Sequence, residues 1–191
     1  WKDVDLNQQG RDEAKQAVEL LKSYEFDMAF TSNLIRAQET LDIILKGINQ
    51  SDISITKNLA LNERDYGHLI GQNKTEAAEK FGEEQVHIWR RSFDTPPPGG
   101  ESLKDTADRV IPYLKNEIMP NILEGKTIIV GAHGNSIRAI VMHLQNYDSK
   151  QILKTEIGWC EPWVFSFKNE NVTNLEIISR PGSKSMSRLP D

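Results

Sequence analysis

Apolar positions along this chain switch between a helical and an extended period, and the switching predicts the order of its elements. Ala14, Ala17, Val18 and Leu21 stand at i, i+3, i+4 and i+7, one stripe of a helix that Asn7 is placed to cap. Met28 to Thr31 reads as a short buried strand, and Ala37, Leu41, Ile44 and Leu45 mark a second helix. A short alternating strand is expected at Ile53 to Thr56. The stretch from Leu59 to Gly100 is poor in strand pattern and carries charged residues, Trp89 and the run Pro96 to Pro98. Asn73 with Glu76 resembles a capping box, so part of that stretch should be helical. Ser102 then caps a helix carrying Leu103, Ala107, Val110 and Leu114, with a bend at Pro112. Ile128 to Val130 suits a strand covered on both faces, and after His133-Gly134-Asn135 the helical period returns at Ile137, Ile140, Val141 and Leu144. Trp163 to Phe167 and Leu175 to Ile178 predict a late hairpin around Asn169 to Asn171.

This alternation predicts an α/β domain with a mainly parallel sheet and helices on both faces. One domain is expected over 1–179, with an irregular cap at about 59–100 and a polar, mobile tail over 180–191. A length of 191 residues with 38% apolar content is enough for a core without covalent staples. The lone Cys160 excludes an internal disulfide and fits a reducing compartment. Residues 1–10 lack the pattern of a signal peptide, and no apolar run approaches the roughly 20 residues of a membrane span. A cytoplasmic protein is therefore expected. The net charge of −5 argues against a nucleic acid or an anionic membrane as partner. Any anion site must then be local, which turns attention to clustered arginines.

In open α/β sheets, ligands collect beyond the carboxyl ends of the strands, where helix N-termini offer free N–H groups. Two segments have that layout: Phe30-Thr31-Ser32 leading to Arg36 in the first turn of a helix, and Ile129-Val130-Gly131-Ala132 leading to His133, Gly134 and Asn135. Each alone is a weak signal. Facing one crevice, they would set a guanidinium and an imidazole around one phosphate. The cap segment adds Glu63, Arg64, Tyr66, Lys74, Arg90 and Arg91. Adjacent Arg90 and Arg91 beside Trp89 suit a phosphate or carboxylate clamp or, equally, a solvated helical face. Glu63, amid these cations, is the candidate general acid–base. No metal-ligand spacing and no nucleotide-binding glycine loop is present in the sequence.

Several strings in the same chain order resemble the cofactor-dependent phosphoglycerate mutases of the histidine phosphatase superfamily. They are Trp1-Lys2-Asp3-Val4-Asp5-Leu6, Thr31-Ser32 with Arg36-Ala37, Leu61-Asn62-Glu63-Arg64 with Tyr66-Gly67, Trp89-Arg90-Arg91, Pro97-Pro98-Gly99-Gly100-Glu101-Ser102 and Ala132-His133-Gly134-Asn135-Ser136. The His133 and Arg36 strings mark the superfamily, whereas the Glu63 string with Lys74 and Trp89-Arg90-Arg91 looks like the mutase branch. The resemblance implies interconversion of 2- and 3-phosphoglycerate, in glycolysis and gluconeogenesis, through a phosphohistidine enzyme primed by 2,3-bisphosphoglycerate, without a metal. Carried over, Arg36 and His133 stabilise charge on the transferring phosphoryl group, and Glu63 exchanges protons with the substrate hydroxyl. Gly134 and Asn135 hold phosphate oxygens, while Arg64, Tyr66, Lys74, Arg90 and Arg91 bind the rest of a small phosphorylated substrate. The family also implies a homodimer.

Two departures qualify the resemblance. Family members open with a central strand ending in Arg-His-Gly, whose histidine takes the phosphoryl group, and no Arg-His-Gly occurs in this sequence. The expectation is a chain catalytically incomplete as it stands, with one sheet position empty. Between the last helix and its strand, Gly158-Trp159-Cys160-Glu161-Pro162-Trp163 replaces the family's small apolar residues. A histidine-type phosphatase, a bisphosphoglycerate synthase and a non-catalytic anion-binding module remain as alternatives.

Overall fold

A computed structural model describes residues 1–72, 74–180, 182 and 184–190, with Lys74 described by its backbone alone. Three strands, β1 (Met28–Thr31), β2 (Ser54–Lys57) and β3 (Ile128–Gly131), form a parallel sheet in the order β2-β1-β3. Because successive strand residues face opposite sides, Ala29 meets one helical layer and Phe30 the other. Ala29 packs with Leu41 and Leu45 of α2 (Ile35–Gly47), beside which α1 (Gln8–Leu21) lies. Phe30 packs with Ala107 and Val110 of α5 (Leu103–Tyr113) and with Ala139 and Ile140 of α7 (Gly134–Gln145). The expected parallel sheet with helices on both faces is thus present. Asn7 caps α1 as predicted, its side chain accepting from the Gly10 amide at 2.8 Å.

Four features differ from the expectation. The strand at Ile128 is half-buried along its length instead of sealed, because β3 pairs only with β1 and forms an edge of the sheet. All four residues of β2, at the opposite edge, are exposed. Pro112 is followed by a widened π turn at Leu114–Ile118, which buries both Leu114 and Ile118, before α6 (Met119–Leu123) closes the segment. Relaxing the ladder after a proline while keeping two apolar side chains inside is the usual compromise. A further helix, α8 (Ser149–Lys154), starts at Asp148, whose carboxylate accepts from the amides of Lys150 and Gln151.

The segment expected as a cap, at about 59–100, contains a pair of short helices, α3 (Lys74–Phe81) and α4 (Glu83–Arg91), with a small core of its own. Leu69, Ala77 and Val86 are buried against Tyr66, Phe81 and Trp89, and the Phe81 and Trp89 rings meet edge to face at 5.3 Å. Gly82, at φ +85°, turns the chain between the two helices at a conformation that penalises other residues. The capping box read at Asn73 lies outside the described residues.

The hairpin forms from β4 (Trp163–Lys168) and β5 (Asn171–Ile177), antiparallel and separate from the parallel sheet. Described residues of the segment expected as a mobile tail bond to the body. Glu156 and Arg188 exchange backbone hydrogen bonds at 2.9 Å, and the Ser187 hydroxyl accepts from the Gly158 amide and the Trp163 indole. Glu161, 8% exposed, accepts from the Ser185 hydroxyl and from the amides of Met186 and Ser187. Burial alone would raise its pKa, yet those hydrogen bonds outweigh burial and hold it below the ordinary carboxylate value. The unusual Trp159 to Trp163 segment is therefore the anchor for the last residues. Hydrogen bonds to a charged acceptor contribute about 1.5–3 kcal/mol each, so Glu161→Ala should speed tryptic cleavage at Lys184 and Arg188 by at least about tenfold, an opening cost of roughly 1.4 kcal/mol. Unchanged cleavage in a timed digest would show that the clasp does not depend on this carboxylate.

Candidate functional site

The carboxyl ends of β1 and β3 lie level, since Thr31 pairs with Gly131 in the register of the sheet. The next residues of both strands therefore turn into the same crevice. Ser32 and His133 meet there, Oγ to Nε2 at 2.8 Å, and both are buried. His133 then serves as the N-cap residue of α7, its amide donating to Ser136 Oγ at 3.0 Å. Burial first, then the positive charges of Arg36 and Arg109, push the His133 pKa down to about 3. The imidazole is accordingly neutral at physiological pH.

Glu63 reaches this crevice from the loop after the 3-10 turn Leu59–Leu61. Its Oε1 accepts from the Arg64 amide at 2.7 Å and from the Asn135 amide, in the first turn of α7, at 3.2 Å. A carboxylate is at home at a helix N-terminus, where unpaired amides and the helix dipole favour negative charge. Gly134 keeps that approach open, and a Cβ there would stand 3.9 Å from Glu63 Oε2. The Asn135 side-chain amide donates to Tyr66 Oη at 3.2 Å, while its carbonyl oxygen accepts from Arg138 at 3.3 Å.

Tyr66 in turn carries two guanidinium groups. Arg64, 3% exposed, sits 4.5 Å from the Tyr66 ring centroid, and Arg90 sits 5.8 Å from it. Nε of both arginines is buried without a hydrogen-bond partner among the described residues. Such donors are expensive to leave unpaired and fit an anion. A cavity of about 290 Å³ opens beside them, lined by Arg36, Glu63, Arg64, Tyr66 and Arg90, with Trp1 at its margin.

Of the residues nominated from sequence, Arg36, Glu63, Arg64, Tyr66, Arg90, His133, Gly134 and Asn135 gather around this crevice. Arg91 does not join them, for it is largely exposed and pairs with Glu156 at 3.4 Å. Neighbours on a helix point about 100° apart, so Arg90 and Arg91 cannot both face inward. The side chain of Lys74 lies outside what is described. His68 and His87 are exposed and His143 lies on α7 beyond the crevice, which leaves His133 as the histidine of the site. Sequence reasoning missed Ser32 as the imidazole's partner, although it stands in the first strand-to-helix turn. It also missed Arg109 and Arg138, which look like ordinary surface arginines on amphipathic helices until their distant partners are known.

Comparison with known proteins agrees with this geometry. Residues 1–178 match the model of the histidine phosphatase superfamily (branch 1). A 2,3-bisphosphoglycerate-dependent phosphoglycerate mutase of Bradyrhizobium sp. strain BTAi1 is 50% identical over 179 residues, covering 93% of this chain and 86% of the relative. One from Nitrobacter hamburgensis is 55% identical over 167 residues, covering 86% and 81%. Among solved structures, YhfR of Bacillus stearothermophilus superposes with a TM-score of 0.80 at 19% identity, covering 97% of this chain and 88% of that one. The α-ribazole phosphatase of Shigella flexneri gives 0.79 at 17% identity, covering 96% and 89%. At such identities the solved structures speak for the fold, and the family match and close relatives speak for descent: this chain belongs to the histidine phosphatase superfamily.

Proposed function

We propose that this chain is the greater part of a 2,3-bisphosphoglycerate-dependent phosphoglycerate mutase, which moves a phosphoryl group between the 2- and 3-positions of glycerate by way of a phosphohistidine. The observation that carries the proposal is the Glu63 carboxylate, seated on the N-terminus of α7 within a cavity that Arg36, Arg64 and Arg90 also line. A phosphatase needs to admit water, whereas a mutase must exchange a proton with a bound substrate hydroxyl. A carboxylate held at the cavity wall suits the second task. The relatives at 50% and 55% identity carry the mutase name, and this supports the same choice.

Each residue's part follows from its place. Arg36 and neutral His133 stabilise charge on the transferring phosphoryl group, in a site already organised before the substrate arrives. Ser32 holds the imidazole at its Nε2. Glu63 Oε2 takes the proton of the attacking substrate hydroxyl and returns it to the product. The unpaired Nε donors of Arg64 and Arg90 fit the anionic groups of a phosphoglycerate and of 2,3-bisphosphoglycerate, which supplies the priming phosphoryl group when bound. Gly134 lets phosphate oxygens approach the start of α7, and Asn135 supplies an amide to them. Lys74 is assigned to substrate binding by resemblance alone. The phosphoryl acceptor in this reading is the histidine of an Arg-His-Gly turn ahead of Trp1, and the 191 residues by themselves are expected to be inactive.

Three measurements test the reading. A family strand bearing Arg-His-Gly, fused before Trp1, should confer phosphoryl uptake from 2,3-bisphosphoglycerate and interconversion of the phosphoglycerates, while the 191-residue chain takes up none. A folded extended protein that remains inert would point instead to an anion-binding module. In the active form, Glu63→Gln should lower kcat by about 10²- to 10⁴-fold, the usual weight of general acid–base catalysis, with little change in KM. His133 supplies a pH test. Its lowered pKa means that the unfolded chain takes up a proton between pH 6.5 and about 3 that the folded chain refuses. Stability from this group is intact above pH 6.5 and falls by about 1.4 kcal/mol per pH unit through that window. Urea midpoints measured across it should fall less steeply for His133→Gln, and equal slopes would refute the buried, neutral imidazole.

A further inference from the structure

Arg109 of α5 does not itself line the cavity, yet it binds the loop that delivers the proton-exchanging carboxylate. Its Nε and Nη2 donate to the two oxygens of Glu101 at 2.8 and 2.9 Å, a two-pronged ion pair. The remaining donor capacity goes to main-chain carbonyls, with Nη1 bonded to Ala60 O at 2.7 Å and Nη2 to Asn62 O at 3.1 Å and Glu63 O at 3.0 Å. Those carbonyls lie within or just after a single 3-10 turn and have no helical partner to accept from. Glu101 completes the clamp from the other side. Its Oε2 accepts from the Asp65 amide at 3.0 Å, and its own amide donates to Asp65 O at 2.7 Å.

One ion pair therefore holds the main chain on both sides of Glu63. Both partners are largely buried, with side chains 17% and 20% exposed. A buried pair of this kind contributes little to net stability over an apolar replacement, so a reason for it lies in the geometry it imposes. Its fork geometry also matters, because a lysine is a point charge and cannot serve two carboxylate oxygens and three carbonyls at once.

We infer that Arg109, locked to Glu101, is a positioning residue that sets the Glu63 carboxylate over the first turn of α7. The inference deepens the mutase reading and rests on it for its kinetic consequence, but its geometric claim can be read without turnover. Misplacing a catalytic group by about 1 Å costs on the order of 10²-fold in rate. Arg36 and Arg90 are held by other elements, α2 and α4, whereas Arg64 lies on the clamped loop itself. The expected signature is thus a loss in kcat that exceeds any rise in KM passed on through Arg64.

The test uses Arg109→Lys and Glu101→Gln, with Lys104→Ala on the exposed side of the same helix as control. In the extended, active protein, Arg109→Lys should lower kcat by about 30- to 100-fold, with a smaller rise in KM for 3-phosphoglycerate of at most about tenfold. Glu101→Gln should act in the same direction, and the control should match the parent. In the 191-residue chain, amide exchange at Asp65 and Asn135 should quicken by about tenfold or more in both variants, while α1 and α2 keep their protection. Retention of kcat in Arg109→Lys overturns the inference. So does a loss of kcat accompanied by faster exchange everywhere, which would mark a merely structural pair. If the extended parent itself does not interconvert phosphoglycerates, the mutase reading fails, and the exchange rates at Asp65 and Asn135 still decide whether Arg109 and Glu101 position this loop.

Discussion

The parallel pairing of β1 with β3 is the constraint on which the site depends. Thr31 stands opposite Gly131, and the Thr31 hydroxyl donates to Gly131 O at 2.7 Å, so the two strands end at one level. Each strand is followed within a few residues by a helix that starts at that level. A shift of register by one residue would move His133 away from Ser32 and turn Phe30 out of its layer, because strand side chains alternate sides. The core and the site are thus fixed by the same hydrogen bonds. Phe30 and Ile140 anchor α7 on one face, Ala29 and Leu41 anchor α2 on the other, and the crevice is what their N-termini leave between them.

Charge is distributed against the average of the molecule. A chain with a net charge of −5 concentrates Arg36, Arg64 and Arg90 around one small cavity, while Arg109 and Arg138 brace the loop and the helix behind it. Two guanidinium groups share the Tyr66 ring as a neutral partner. Burial first, and then the charges of Arg36 and Arg109, keep the His133 imidazole neutral. Long-range repulsion of anions by the acidic surface is countered only at short range, where the arginines point inward.

Much of the scaffold was legible because it follows local period. The stripes Ala14 to Leu21, Ala37 to Leu45 and Ile137 to Leu144 became helices, and the apolar runs at Met28 and Ile128 became neighbouring strands. The two strand-to-helix turns also announced Arg36 and His133. What escaped prediction depends on partners far apart in sequence. Arg109 acts on carbonyls 46 and 47 residues away, and the docking of Ser187 needs Gly158 and Trp163. Arg90 and Arg91 part for a different reason: adjacency in sequence is divergence on a helix. Proline 112 was legible as a bend but not as a π turn, since the burial of Leu114 and Ile118 decides that outcome.

Glu156 joins three parts of the molecule, bonding Arg138 of α7 at 2.5 Å, Arg91 of α4 at 3.4 Å and, through its main chain, Arg188. During synthesis the sheet and α7 emerge well before Arg188 does, and domains fold as their residues become available. The crevice can therefore take shape on the ribosome while the brace behind Asn135 is still missing a strand partner. Its stiffening therefore depends on residues near 188, so that a chain not yet extended that far holds the start of α7 less firmly than one that is.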